Sequence, residues 1–228
     1  MSTSNPARRV RVALLVPSSN TVMENDLHAG LPKDRFTVHT DRMYLVETTR
    51  ACEIEMIEKH APAAASDLGT VKPDVLVFGC TSAGSLFGLD YDAKVCASLG
   101  DLAGCPTIGV VSSVSQALAR RQARRVAVIT PYNEDLTQSV AAAIATHTEV
   151  VCAHGLGITD NVALADPTPE DIVAFARERL QGQRFDCLFA SCTNFRAVEA
   201  LPLLEQAFGV PVISSNSSVI EAIRLRYA

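Results

Sequence analysis

The sequence repeats its own pattern, and this repeat constrains the fold more than any other feature of the chain. Three segments of the first half return in the same order in the second half. The pairs are Arg11–Pro17 with Arg125–Pro131, Asp74–Ser82 with Asp186–Asn194, and Pro106–Val114 with Pro211–Val219, at offsets of 114, 112 and 105 residues. Self-similarity of this kind indicates a chain built from repeated structural units. We therefore predict two halves with the same fold.

Short apolar runs alternate with longer helical patterns along the whole chain. The predicted strands are Val10–Val16, Phe36–Met43, Val75–Phe78, Thr107–Val111, Val126–Ile129, Glu149–Ala153, Cys187–Ala190 and Val210–Ile213. The predicted helices are Thr48–Leu68, Ser113–Arg121, Glu134–Thr146, Pro169–Leu180 and Ser217–Arg226. Val- and Ile-rich runs between helices are typical of βαβ units, whose strands are parallel. Thr21–Glu24 and Ser218–Glu221 have the form of capping boxes, which mark helix starts.

These elements predict an α/β protein of two pseudo-symmetric domains, each a four-stranded parallel sheet flanked by helices. The expected domains are residues 1–114 and 115–228. Open α/β sheets bind ligands at the carboxyl ends of their strands, and each repeated motif lies at such an end. We therefore expect the active site in a cleft between the two domains.

Composition and charge exclude several classes of protein. The net charge is −5, and the basic cluster Arg120, Arg121, Arg124 and Arg125 lies where a predicted helix ends, a position that favours cations. We therefore expect no nucleic-acid partner. No apolar run approaches the roughly 20 residues of a membrane span, so no membrane association is expected.

Cysteine and histidine usage argues against disulfides and metals. The chain has seven cysteines without C-x-x-C spacing, so reduced thiols and a cytoplasmic location are expected. The five histidines, at positions 28, 39, 60, 147 and 154, are scattered and are interpreted as surface or hydrogen-bonded residues, so no metal site is predicted. Neither phosphate-binding glycine motif occurs, which argues against nucleotides and pyridoxal phosphate.

Two cysteines occupy equivalent places in the repeat. Cys80 and Cys192 each end a predicted strand and precede a Thr and then a Ser or Asn, which are helix-capping residue types. A thiol at the positive end of a helix has a lowered pKa and is more reactive. We therefore predict that both are catalytic, and that Cys80 lies in an open cleft with a depressed pKa and is alkylated first. The other five cysteines are interpreted as small buried hydrophobic residues.

Uncharged polar groups surround these cysteines in the predicted site. The segments Pro17–Asn20, Thr130–Asn133 and Gly155–Asn161 all follow strands. Asn and Tyr side chains, together with helix N-termini, can hold a carboxylate by hydrogen bonds without a cationic side chain. This pattern favours a small carboxylic acid as substrate.

Together, Val16–Thr21, Cys80, Thr130–Tyr132, Asn161 and Cys192–Asn194 resemble the maleate cis–trans isomerase family, within the aspartate/glutamate racemase superfamily. The resemblance spans nearly the whole chain and implies a site between two α/β domains, a C-terminal helix (residues 217–228) packed on the first domain, and no cofactor. It implies that Cys80 is the nucleophile and that Cys192 handles the proton. It also implies that Asn20, Tyr132 and Asn161 bind the substrate.

One departure from this family pattern leaves alternatives open. Thr81 and Ser82 resemble the hydroxyl-lined pocket of the related arylmalonate decarboxylases, which generally keep only the second cysteine. Further substrate-binding candidates are these two residues together with Thr193 and Asn194. The predicted function is cofactor-independent isomerisation of maleate to fumarate, or of a closely related acid. The alternatives are a two-cysteine amino-acid racemase, an arylmalonate-type decarboxylase and a non-catalytic dicarboxylate-binding protein. A homo-oligomer, dimer or tetramer, is expected.

Overall fold

The computed structural model describes residues 8–146 and 148–228 and contains two parallel sheets of the same topology. The first sheet consists of β1 (Val10–Pro17), β2 (Phe36–Met43), β3 (Val75–Phe78) and β4 (Thr107–Gly109); the second consists of β5 (Arg125–Thr130), β6 (Glu149–Gly155), β7 (Cys187–Ala190) and β8 (Val212–Ser214). The strand order β2-β1-β3-β4 returns as β6-β5-β7-β8. The predicted α/β class and the duplicated four-stranded sheet are therefore confirmed.

Central strands of both sheets are buried on both faces. β3 and β7 have no exposed residue, and β1 pairs in parallel with both β2 and β3. Parallel sheets need cover on both faces, which explains why these strands read as continuous apolar runs and not as alternating ones. Two predicted strand ends are wrong, since β4 stops at Gly109, where Val110 begins a helix, and β8 begins only at Val212.

Ten α-helices of the described chain cover the sheets. They are α1 (Met23–Gly30), α2 (Arg50–Glu55), α3 (Ala61–Gly69), α4 (Thr81–Ser85), α5 (Leu89–Ala103), α6 (Val110–Arg120), α7 (Glu134–Ile144), α8 (Pro169–Arg179), α9 (Ala197–Phe208) and α10 (Ser215–Arg226). The sequence gives no predicted range for four of them, α1, α4, α5 and α9, although helix starts are expected at Thr21–Glu24 and after Cys80 and Cys192. The first two are only eight and five residues long, and α9 carries Pro202 in its interior, a residue that normally ends a helix.

The predicted helix Thr48–Leu68 is interrupted. A π-helical turn, Met56–His60, joins α2 to α3, and Pro62 stands at the start of α3. Proline lacks an amide hydrogen and its ring collides with the carbonyl one turn earlier, so a wider turn just before it accommodates the ring.

Both predicted capping boxes are wrong in detail. The amides of Val22 and Met23 donate to Asn20 Oδ1, so Asn20 and not Thr21 caps α1. At the other end of the chain the reciprocal box joins Ser214 and Ser217, one turn before the predicted pair. The two motifs indicate each helix start to within one turn, whereas the cap depends on which side chain the turn directs back to the amides.

The C-terminal helix packs on elements of the first half. Asn216 donates to Asp26 on α1 at 2.7 Å, and the Tyr227 hydroxyl donates to the carbonyl of Asp74 at 2.9 Å. On its other side, Glu221 pairs with Arg120 and Arg121 at 3.0 Å, where α6 ends. The domain division between 114 and 115 stays a prediction, and it falls inside α6.

Two further observations concern the described part of the chain. No helix there is long and apolar enough to cross a membrane. His147, which was interpreted as a surface or hydrogen-bonded residue, lies outside the described residues, as do residues 1–7.

Candidate active site

The predicted site residues follow β1, β3, β5, β6 and β7 and meet between the two sheets. All nine are 3% exposed or less: Asn20, Cys80, Thr81, Ser82, Tyr132, Asn161, Cys192, Thr193 and Asn194. The two halves of the repeat therefore bring their equivalent strand ends together around one buried polar cluster.

A buried glutamate contacts the first cysteine. Cys80 lies two residues after β3 and is the N-cap of α4, and its thiol donates to Glu53 Oε2 at 3.3 Å. The Ser82 hydroxyl donates to the other carboxylate oxygen, Oε1. Glu53 lies on α2 and is completely buried, and burial raises its pKa to about 7, partly offset by these two hydrogen bonds.

The expected open, acidic thiol at position 80 is wrong. Cys80 is 3% exposed, and burial raises its pKa well above the ordinary value, with the neighbouring Glu53 charge adding to the effect. The hydrogen bond from the Ala83 amide acts in the predicted direction but is a smaller effect. A helix of five residues has too small a dipole field to outweigh the removal of water.

The second cysteine has an unusual backbone. Cys192 has φ +130°, a conformation that costs a non-glycine residue on the order of 1–3 kcal/mol. A turn follows it and α9 begins only at Ala197, so the predicted helix N-terminus at this cysteine is wrong. Its sulfur accepts the Asn194 amide at 3.1 Å. Burial raises its pKa to about 12, and the hydrogen bond from Tyr132 opposes this rise.

Tyr132 connects the two cysteines electrostatically. It is 1% exposed, and its hydroxyl donates to the Cys192 sulfur. Burial raises the Tyr132 pKa well above its ordinary value, and the charges of Cys192 and Cys80 raise it further. The tyrosine therefore stays protonated and acts as a hydrogen-bond donor to the second thiol.

Hydroxyl groups tie the two cysteine turns together. Ser215 Oγ accepts from Thr81 Oγ1 at 2.9 Å and from the Cys192 amide at 3.0 Å. Thr193 donates to the Gly79 carbonyl at 3.1 Å. The turns after β3 and β7 are thus held in a fixed relation by Ser215 and by Thr81 and Thr193, which occupy equivalent positions of the repeat.

Asn161 belongs to a strap that closes the cleft. It accepts from Thr48 Oγ1 at 2.9 Å and donates to Ser19 Oγ at 2.7 Å. Backbone bonds join the same loops, from the Thr48 amide to the Thr159 carbonyl at 2.7 Å and from the Asn161 amide to the Val46 carbonyl at 2.9 Å. The cleft is therefore closed in this structure, which explains the burial of both thiols.

Glu53 is the site residue that the sequence analysis missed. A signal was present, because Glu53 lies at helical spacing from the buried residues Met56, Ala61 and Ala64, so an acid occupies the apolar side of a helix. Such an acid is rarely buried unless it has a specific partner.

The described residues contain no group of three or more His, Cys, Asp or Glu side chains that could hold a metal ion.

Comparisons with known proteins find relatives that match most of the chain. The model of the arylmalonate decarboxylase family matches residues 12–225. A maleate isomerase of Geobacillus stearothermophilus is 26% identical over 230 residues, which cover 95% of this chain and 91% of that protein.

Solved structures of maleate isomerases share the whole fold. The maleate isomerase of Pseudomonas putida S16 matches with a TM-score of 0.89 at 26% identity, covering 96% of this chain and 93% of that one. A cysteine-to-alanine variant of that enzyme, crystallised with maleate, matches with a TM-score of 0.89 at 25% identity, covering 96% and 92%.

Proposed function

Because the chain belongs to the arylmalonate decarboxylase family, we propose that it is an isomerase of that family that converts maleate to fumarate without a cofactor. The observation that carries the proposal is the pair of buried thiols, Cys80 and Cys192, at the equivalent ends of β3 and β7 in one cluster. The curated relative with 95% coverage of this chain is itself a maleate isomerase.

The first step requires a nucleophile, because the cis and trans acids differ by rotation about a C=C bond. We assign this role to Cys80, whose sulfur forms a C–S bond with one alkene carbon. The π electrons move to the other carbon and into its carboxylate, and the C–C bond becomes single and free to rotate. Backbone amides of the turns around the cluster stabilise the developing charge.

The second step requires an acid, and we assign it to Cys192. Its pKa of about 12 keeps it protonated at neutral pH, so it can donate a proton to the carbanionic carbon. The Tyr132 hydroxyl and the Asn194 amide then stabilise the resulting thiolate. After rotation, Cys192 recovers a proton from that carbon, the C–S bond breaks, and the trans acid leaves.

The cluster also bears on the decarboxylase alternative. Thr81 Oγ1 bonds Ser215 and Ser82 Oγ bonds Glu53, so both hydroxyls are engaged within the protein. A decarboxylase site that binds its acid through these hydroxyls would have to break those bonds first. This favours the isomerase, for which the thiols and not the hydroxyls are the reacting groups.

Proton NMR of purified protein with maleate tests the proposal, since the vinylic protons of maleate and fumarate give separate signals. We expect fumarate to form, and Cys80→Ser to abolish turnover while circular dichroism and the melting temperature stay unchanged. An arylmalonate and the enantiomers of aspartate and glutamate serve as competing substrates. Decarboxylation or racemisation without fumarate formation would reject the isomerase.

A further inference from the structure

Glu53 has no cationic partner in its buried position. Its side chain is 0% exposed, and none of the ion pairs among residues 8–146 and 148–228 includes it. A buried carboxylate without a counter-ion is costly, so its hydrogen-bond donors decide its charge. Those donors are Ser82 on one oxygen and Cys80 on the other.

We propose that Glu53 is the base that receives the Cys80 thiol proton when the sulfur adds to the substrate. This inference rests on the proposed function, because it completes the first step of the same reaction. The carboxylate contacts the reacting sulfur at 3.3 Å, within hydrogen-bond reach of the proton it would accept.

The proton balance of the addition step then closes within the protein. The S–H bond of Cys80 breaks and its proton passes to Glu53 Oε2, while the sulfur electron pair forms the C–S bond. The π electrons of the alkene move to the adjacent carbon, which takes a proton from Cys192. On elimination the C–S bond breaks, Glu53 returns its proton to the Cys80 sulfur, and Cys192 recovers its own.

The closed site makes an internal base necessary. Cys80 is 3% exposed and the strap of residues 46–48 and 159–161 covers the cleft, so bulk water does not reach the sulfur while the strap is closed. Ser82 occupies Oε1 and thereby leaves Oε2 directed at the thiol. The ionisable groups that act on Glu53 or feel its charge are Cys80 from the first half and Tyr132 and Cys192 from the second, and all of them are neutral when protonated.

The Glu53 pKa of about 7 supports this role, because a general base works best near the operating pH. The Cys80 pKa lies far above that of Glu53. As pH rises, Glu53 therefore loses its proton first, while Cys80 remains a thiol. The proton therefore moves to Glu53 only as the sulfur forms its new bond.

The first test measures alkylation of Cys80 by iodoacetamide from pH 6 to 9, with mass mapping to separate Cys80 from the six other cysteines. In the wild type we expect the rate to rise with pH and to level off near pH 7, where the pair loses its first proton. In Glu53→Gln the rate should rise about tenfold per pH unit up to pH 9, because only the thiol remains to titrate. The variant then reacts about 100-fold faster at pH 9, and equally fast at pH 6.

The second test measures maleate turnover by the same proteins. We expect Glu53→Gln to lose at least about 100-fold in kcat, although its Cys80 is at least as easily alkylated. A role limited to packing, or to raising the thiol pKa, would move turnover and alkylation in the same direction. Glu53→Asp, which keeps a carboxylate on a shorter side chain, should restore the break near pH 7 and part of the turnover.

Glu55→Gln is the matched control on the same helix. Glu55 is exposed and pairs with Lys59 at 2.9 Å, away from the site. We expect wild-type turnover and a wild-type alkylation profile from this variant.

The two proposals fail separately. If the wild type does not convert maleate, the proposed function is wrong, and the alkylation profiles still decide the Glu53–Cys80 pair. Parallel alkylation profiles of wild type and Glu53→Gln, or wild-type turnover in Glu53→Gln, would overturn the role of Glu53. Should Glu53→Gln fail to fold, Glu53→Asp carries both measurements, and an unbroken rise in its alkylation rate would overturn the proposal.

Discussion

A second buried acid, outside the site, predicts how stability depends on pH. Asp92 on α5 is 1% exposed, and apart from the weak effect of the Ser112 amide its carboxyl group has no hydrogen-bond partner among the described residues. A Cβ on Gly84 or Gly109 would lie 2.6 or 2.5 Å from these oxygens, so the carboxyl group fills the space that the two glycines leave. Burial raises the pKa of Asp92 from 3.8 to about 7.

A carboxyl group with a raised folded-state pKa destabilises the protein as pH rises. Between pH 3.8 and about 7 the unfolded chain ionises at this residue while the folded chain keeps its proton, so folding stability falls through that window. At 1.36 kcal/mol per pKa unit, the cost reaches about 4 kcal/mol at pH 8 and only about 0.5 kcal/mol at pH 4. Asp92→Asn removes the ionisation with little change of shape.

The assay is urea unfolding of wild type and Asp92→Asn at pH 4 and pH 8. We expect the unfolding free energy of Asp92→Asn, relative to that of the wild type, to be about 3–4 kcal/mol higher at pH 8 than at pH 4. Asp90→Asn, an exposed acid on the same helix, should shift by less than about 1 kcal/mol. A difference for Asp92→Asn that is the same at both pH values would refute the reasoning.

Two further predictions concern the site. Tyr132→Phe removes the hydroxyl that donates to Cys192, so the Cys192 pKa should rise further. Steady-state kinetics should then show a fall of about 10–100-fold in kcat/KM. An unchanged kcat/KM would exclude the tyrosine from the proton-transfer step. In D₂O we expect maleate to become fumarate, and acid quenching should trap an adduct that shifts the mass of the Cys80 peptide. Inversion of an amino acid with obligatory deuteration and no adduct would favour a racemase instead.

Local sequence determined much of this protein. Strand positions follow from Val- and Ile-rich runs, because a strand buried on both faces requires continuous apolar residues. The repeat determined the shared topology of the two sheets and the placement of Cys80 and Cys192 at equivalent strand ends. Both halves have the same order of apolar runs and helical patterns, so they form the same elements.

The electrostatics of those cysteines depended on the tertiary structure alone. The sequence pattern predicted acidic, open thiols, whereas the closed strap buries both and raises their pKa values. Glu53 stands 27 positions before Cys80, and only the packing of α2 against α4 brings its carboxyl group to the sulfur. Burial and proton affinity are set by contacts distant in sequence, which no local pattern encodes.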